Sequence, residues 1–403
     1  MTGTWERTDV GRVATALDAD LIALRRELHQ WPELAGTESR TAAAVARRLS
    51  DAGLSVTTGL GGHGVLALLE GVAPGRTVAY RADMDAIAAD EPRGAEFASR
   101  VPGAAHLCGH DLHTAIGVGI AQVLARLRHT FAGRVAFVFQ PAEETLEGAR
   151  AMLDDGVLDR VAPEEIYALH CGPLPVGTFA VMPGVGQPGL DTGQVHLSGP
   201  DAAGTAESLR QAIVNLATVR DPRSPEEFPA LLDDLRNPDG RLARFVYAHA
   251  ELEPGADGVD GVDGVDGTVT VRLFLRTWPD SRYPSLREEV RCLAAAVGGR
   301  VEFPRPPFPA MVCSPELSHA AADRLREVPG VAAVEVFGSP YPFAGEDFGL
   351  FLQRVPGAMF YLGVSDPERG INGVPHRPDF AADERAIGLG VRAMADFLVS
   401  RLA

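Results

Sequence analysis

A chain of 403 residues that is 46% hydrophobic is longer than one core comfortably holds, so two domains in a globular protein are expected. Its formal net charge of −17 argues against nucleic acid and anionic membranes as partners, because both would repel it. No apolar run reaches membrane-spanning length and the first twenty residues lack a basic then apolar leader, which together predict a cytoplasmic protein.

The first third alternates helical and strand patterns. Apolar residues at helical spacing predict helices over 17–30 and 39–52, the second stopped by Gly53. "GVLALLEG" and "RTVAYRADMD" read as strands, and "TAIGVGIAQVLARLRH" as a helix. "RVAFVFQPAEE", "EEIYALHC" and "GTFAVMPG" read as three further strands. Such alternation predicts an α/β fold with a mostly parallel central sheet flanked by helices, whose ligands gather beyond the carboxyl ends of the strands. Asp83, Asp85, Glu143, Glu144 and His170 all fall at such ends.

From about Leu190 the order becomes strand, helix, strand, strand, helix, strand (190–198, 206–219, 243–252, 268–278, 284–297, 300–303), the pattern of a ferredoxin-like α+β unit. The alternating pattern then resumes with "VAAVEVFG", "EDFGLFLQRV", "AMFYLGV" and a last helix from Asp383. The expected organisation is a catalytic domain in two parts, 1–189 and 305–403, interrupted by an inserted lid or dimerisation-type domain over 190–304. Within the insert, "DGVDGVDGVDG" (257–267) lacks the terminal bidentate Glu of a calcium loop and reads as a hairpin loop.

Four cysteines without CxxC spacing do not suggest a disulfide framework. One of them stands in "HLCGHDLHTA", where Cys108 and His110 flank a glycine and can converge on one point, as thiolate and imidazole do on zinc. The same stretch alone also suits a buried cysteine with His110 at the start of a helix. Glu143 and Glu144 end the apolar strand "FVFQPAEE", where adjacent carboxylates repel unless a cation lies beside them. His170 closes "EEIYALHC", and His376 lies in the loop "GVPHRPDF". Together these residue types suit a pair of metal ions beside a carboxylate base.

The chain resembles the zinc-dependent amidohydrolase and aminoacylase family of co-catalytic metallopeptidases, in the branch of hippurate hydrolases, auxin-conjugate hydrolases and N-acetyl-diaminopimelate deacetylase. The matching elements are "RRELHQWPEL", "YRADMDAI", "HLCGHDLHTA", "FQPAEETLEGARAMLDDGVLD", "ALHCGPLPVGTFAVMPG", "GEDFGLFLQRVPGAMFYLG" and "PHRPDF", in order along nearly the whole catalytic domain. The resemblance implies a di-metal exopeptidase-like fold and two divalent transition-metal ions, zinc or manganese. It implies metal ligation by Cys108, His110, Glu144, His170 and His376, with Glu143 as general base and Asp85 orienting the site. The expected substrate is an N-acyl amino acid or small peptide, cleaved at its amide bond by a metal-activated water.

The insert departs from the family. Where relatives carry a glycine-rich turn with a histidine that stabilises the oxyanion in a partner subunit, this chain has "LSGPDAAGTAE", with Ala203 near the expected histidine. An oxyanion donor is worth about 2.7–4 kcal/mol. The family's Asn-containing loop is replaced by the Asp-Gly-Val repeat, although Arg276 in "LFLRTW" remains in place to hold a substrate carboxylate or to serve as an ordinary strand residue. A homodimer is therefore compatible with the sequence but not required for the active site, and His196 and His249 stand on the predicted strands of the insert. Beside the amidohydrolase reading stand two others: the same centre repurposed for a specialised acyl or amide transformation, and a metal-binding protein without catalysis. The intact base Glu143 argues against the last.

Overall fold

The computed structural model describes residues 7–92, 96–222, 227–253 and 268–402. The "DGVDGVDGVDG" repeat lies outside them. Its strands are, in chain order, β1 (Ser55–Leu60), β2 (Gly64–Glu70), β3 (Thr77–Asp83), β4 (Arg134–Gln140), β5 (Glu165–Pro175), β6 (Thr178–Val181), β7 (Gly186–Gln187), β8 (Asp191–Ser198), β9 (Phe245–Leu252), β10 (Thr268–Trp278), β11 (Arg300–Glu302), β12 (Met311–Val312), β13 (Ala333–Val336) and β14 (Gly357–Ser365).

The chain divides into two compact units. The first comprises Met1–Gly184, Cys313–Val336 and Leu350–Ala403; the second comprises Val185–Val312 and Phe337–Gly349. The sequence reading drew its divisions at 190 and 304 and gave 337–349 to the catalytic domain.

In the first unit eight strands form one sheet in the order β1-β2-β4-β3-β5-β14-β6-β13. The centre is parallel (β4 with β3, β3 with β5, β5 with β14), as is β6 with β13. The β1–β2, β2–β4 and β14–β6 pairings are antiparallel, so the sheet is mixed. Every residue of β3 is buried, Arg81 and Asp83 included, so its burial does not alternate: a strand covered on both faces has no solvent side. The helix His110–Arg126 packs against the helices Asp18–Gln30 and Arg385–Leu402. Its "GVG" makes that approach close, since a Cβ on Gly119 would come within 2.6 Å of both Leu21 and Val391. No helix among the described residues is long and apolar enough to cross a membrane.

The second unit holds a four-stranded antiparallel sheet in the order β11-β8-β10-β9. β10 alternates buried with less buried residues along its whole length, as a strand with one covered face does. Val269, Val271, Leu273 and Leu275 meet Leu209 and Ile213 of the helix Ala202–Val214 and Leu286 and Val290 of the helix Tyr283–Ala296. This is the ferredoxin-like order expected, with one addition: a helix at Phe228–Arg236 precedes β9.

Candidate metal centre

The first unit's sheet, with the loops that follow its strands, supplies the candidate site. Past the end of β3, Asp85 works at two points: its backbone carbonyl accepts from His110 Nδ1 at 2.9 Å, and its Oδ2 accepts the Glu144 N–H at 2.9 Å. His110 opens the helix that begins immediately after Gly109, whose φ is +88°. A Cβ on Gly109 would lie 2.5 Å from Cys171 Sγ, so only glycine lets the chain turn there with Cys108 on one side and His110 on the other.

The turn after β4 carries both glutamates and is strained. Ala142 has φ +53° and Leu146 φ +57°, conformations uncommon for residues with a Cβ. Glu38, itself fully buried, holds this turn by accepting the Ala142 N–H at 2.8 Å. His170 lies within β5, which continues to Pro175 beside β14, instead of closing the strand. His376 has φ +62° and donates its backbone N–H to Leu107 O at 2.8 Å, which ties the C-terminal loop to the "HLCGH" segment.

The structure thus gathers Cys108, His110, Glu143, Glu144, His170 and His376. Cys108 Sγ is 3.6 Å from His170 Nε2, and His110 Nε2 is 3.6 Å from Glu144 Oε1 and 3.8 Å from Glu143 Oε2. His376 Nε2 is 3.4 Å from Glu144 Oε1. The imidazole–carboxylate separations are too long for good hydrogen bonds. All four match donors sharing a cation, since ligands about 2.0–2.3 Å from one zinc at tetrahedral angles stand roughly 3.3–3.8 Å apart. His110 Nε2 and Glu144 Oε1 are buried without hydrogen-bond partners, a costly state unless an ion serves them. Cys108–His110–His170, Cys108–Glu144–His376 and His110–Glu143–Glu144 each form a group able to hold a metal ion.

Electrostatics agree with this fit. Burial works against a charge on His110, yet Asp83, Asp85 and Glu144 raise its pKa to about 10. Burial would raise Glu144, but the adjacent His376 and the charge of His110 lower it to about 2. Burial and the neighbouring Glu144 push the Cys108 thiol well up, while burial and His113 lower His170 to about 3. The cluster favours positive charge at its centre, and a divalent cation supplies it while allowing Cys108 to ionise.

Arg276 lies on β10 of the second unit, with its guanidinium seated against Gly345, where a Cβ would come within 2.4 Å of Nη1. In that unit Ala203 is exposed in the first turn of its helix, His196 bonds Thr270 Oγ1 at 3.1 Å, and His249 is half exposed. Sequence reasoning set Asp83 at a ligand-gathering strand end without assigning it a role, and did not single out His113 or Glu38. The available signals were the two-residue spacing of Asp83 and Asp85 and the three-residue spacing of His110 and His113 on one helix face.

The profile of "Peptidase family M20/M25/M40" matches residues 79–400. The chain is 30% identical over 387 residues to an N-acetylcysteine deacetylase of Bacillus subtilis, covering 95% of this chain and 97% of that protein. It is also 30% identical over 387 residues to an N-acetyldiaminopimelate deacetylase of Streptococcus uberis, covering 94% and 98% respectively. The solved YXEP protein of Bacillus subtilis, described as a dinuclear metal-binding peptidase of the M20 family, superposes with a TM-score of 0.73 at 27% identity over 96% of this chain and 99% of that one. The chain belongs to peptidase family M20/M25/M40 and is a metal-dependent amidohydrolase.

Proposed function

We propose that this enzyme hydrolyses the amide bond of an N-acyl amino acid or small peptide in the cytoplasm, with Cys108, His110, Glu144, His170 and His376 holding two divalent ions, zinc or manganese, and Glu143 as general base. The observation that carries the reading is the set of donors 3.4–3.8 Å apart around His110, Glu144 and His376. When bound, the ions supply Lewis acidity that acidifies a water and polarises the amide carbonyl. Glu143, 5% exposed and next to Glu144, takes the water's proton on its carboxylate and delivers it to the leaving amine nitrogen. The products are a carboxylic acid and an amine.

Asp85 fixes His110 and the Glu144 backbone together, so one residue sets the spacing of two ligands. Arg276 is the residue proposed to pair with the substrate carboxylate. Every proposed ligand and the base come from one unit of one chain, so the centre needs no residue from a second copy. Three buried free cysteines suit a reducing compartment.

The testing experiment is a mass-spectrometric screen of metal-loaded protein against N-acyl amino acids and dipeptides. Release of a free amino acid with its carboxylic acid is expected. If no amide in the panel is cleaved while an ester or other acyl derivative is, the proposed substrate class is wrong.

A further inference from the structure

We propose that His113 is a positioning residue that fixes the backbone beneath His170 and so aims His170 Nε2 at the metal centre, and that it is not itself a metal ligand. The inference rests on the reading of His170 as a ligand.

His113 is fully buried and lies one helical turn beyond His110, its ring 4.6 Å from the His170 ring. Proximity alone would admit it to the ligand set, since Asp83–His110–His113 and His113–His170–Cys171 each gather three donors. Its hydrogen bonds exclude that. The Cys171 backbone N–H points at His113 Nε2 at 2.8 Å, and a backbone N–H can only donate. Nε2 is therefore the acceptor, and the proton sits on Nδ1, which donates to Asp83 Oδ1 at 2.7 Å. Both ring nitrogens are engaged, and neither has a lone pair left for a metal.

The sheet explains why the contact exists. β3 pairs with β5 only as far as Arg81 opposite Ala168, while β14 continues alongside β5 past Cys171. Beyond Ala168 the β3 side of β5 has lost its ladder, and a buried N–H there needs another acceptor. His113 is that acceptor. The Cys171 carbonyl then accepts from His170 Nδ1 at 2.7 Å, leaving His170 Nε2 facing Cys108 Sγ. The far end is equally fixed: Arg81 donates to Asp83 Oδ2 at 2.6 Å and to Gln140 Oε1 at 2.9 Å, and Thr114 Oγ1 donates to the Asp83 carbonyl at 2.7 Å. Gln140 ends the strand that leads to Glu143 and Glu144, so one buried relay ties the two metal-bearing segments together.

Two conservative substitutions separate the two ring nitrogens. In His113→Gln the amide oxygen stands near the position of Nε2 and can still accept from Cys171; in His113→Asn the amide nitrogen stands near Nδ1, keeps Asp83 and abandons Cys171. Zinc affinity is measured by chelator competition, and the cobalt(II)-substituted proteins are compared by their visible absorption. His113→Asn is expected to weaken one of the two metal sites about 10- to 100-fold and to change the cobalt spectrum, with His113→Gln restoring both to near wild type. Thermal midpoints of the metal-free variants report folding separately, and the rescue by Gln holds whether or not Asn lowers the midpoint. If Asn and Gln both bind as wild type, the positioning role is overturned. If both lose one metal equivalent outright, His113 is a ligand and the proposal is overturned. His170→Ala is the control: wild-type metal affinity in that variant overturns the ligand assignment beneath the proposal, whereas loss of metal there with an unaffected His113→Asn overturns the role of His113 alone.

Discussion

Glu38→Ala should disable the catalytic turn without touching a ligand. Glu38 Oε1 accepts the N–H of Ala142 at 2.8 Å and that of Gly36 at 2.9 Å. Gly36 is exposed, so water replaces its lost acceptor, but Ala142 is partly buried and follows the buried Pro141. Stranding its N–H costs about 1–3 kcal/mol. The same bond offsets the strain of φ +53° at Ala142, itself worth about 1–3 kcal/mol, so without it the turn can relax into an ordinary conformation. Relaxation displaces Glu143, the next residue, and a shift of about 1 Å in a catalytic group can cost on the order of a hundredfold in rate. Burial raises the Glu38 pKa against the effect of these backbone hydrogen bonds, so the site tolerates an uncharged group. Glu38→Gln keeps the Oε1 acceptor and should stay within a few-fold of wild type. The assay is kcat on an N-acyl amino acid, with metal content and thermal midpoint recorded for each variant. Unchanged kcat in Glu38→Ala, or a Gln variant as impaired as the Ala variant, would refute the reasoning.

Glu143→Gln should lower turnover about a hundredfold to ten-thousandfold with metal content nearly unchanged, while Glu144→Gln should lose metal; elemental analysis beside kcat decides, and the reverse pattern would exchange the two roles. Arg276→Ala should raise KM about tenfold to a hundredfold for substrates with a free carboxylate and leave their amidated analogues unaffected, and an equal rise for both would remove Arg276 from recognition. Glu165 carries a pH prediction. Burial would raise its pKa, but hydrogen bonds from Arg401, Tyr167 and Arg76 lower it to about 2 from an ordinary value of 4.5. A folded-state pKa below the unfolded one gives stability that is complete above about 4.5 and is lost as pH falls towards about 2. Glu165→Gln should flatten the acid limb of a thermal-midpoint profile across that window, and an unchanged slope would show that Glu165 does not contribute to it.

Much of the site was legible because its donors follow apolar strands or stand in glycine- and proline-bounded loops. An abrupt change from "FVFQ" to "PAEE" has no surface segment to explain it, and "CGH" needs its glycine because Cys171 occupies the space of a Cβ. The mixed sheet was less legible: hydrophobic periodicity reports burial of β2 and β6 but not the direction in which they pair, and β1, mostly exposed, carries no such signal. Phe337–Gly349 joins the second unit through contacts distant in sequence, such as the Gly338 and Ser339 N–H groups on Leu235 O, and no local pattern announces those. His113 and Glu38 escaped notice for a related reason. Each holds the site through a backbone N–H group, of Cys171 for His113 and of Ala142 for Glu38, and a backbone donor left over where a neighbouring strand stops or a turn is strained leaves no mark on the sequence.

The central claim is that two divalent ions, held by Cys108, His110, Glu144, His170 and His376, make this chain an amide hydrolase. Metal-free protein titrated with zinc or manganese, with bound metal and N-acyl amino acid hydrolysis measured at each addition, tests it most directly. Activity absent without metal and rising to a plateau at two equivalents, with Cys108→Ser requiring far more metal to reach it, is the expected result. Full activity in the metal-free protein, or a metal requirement unchanged by loss of the Cys108 thiolate, would contradict it.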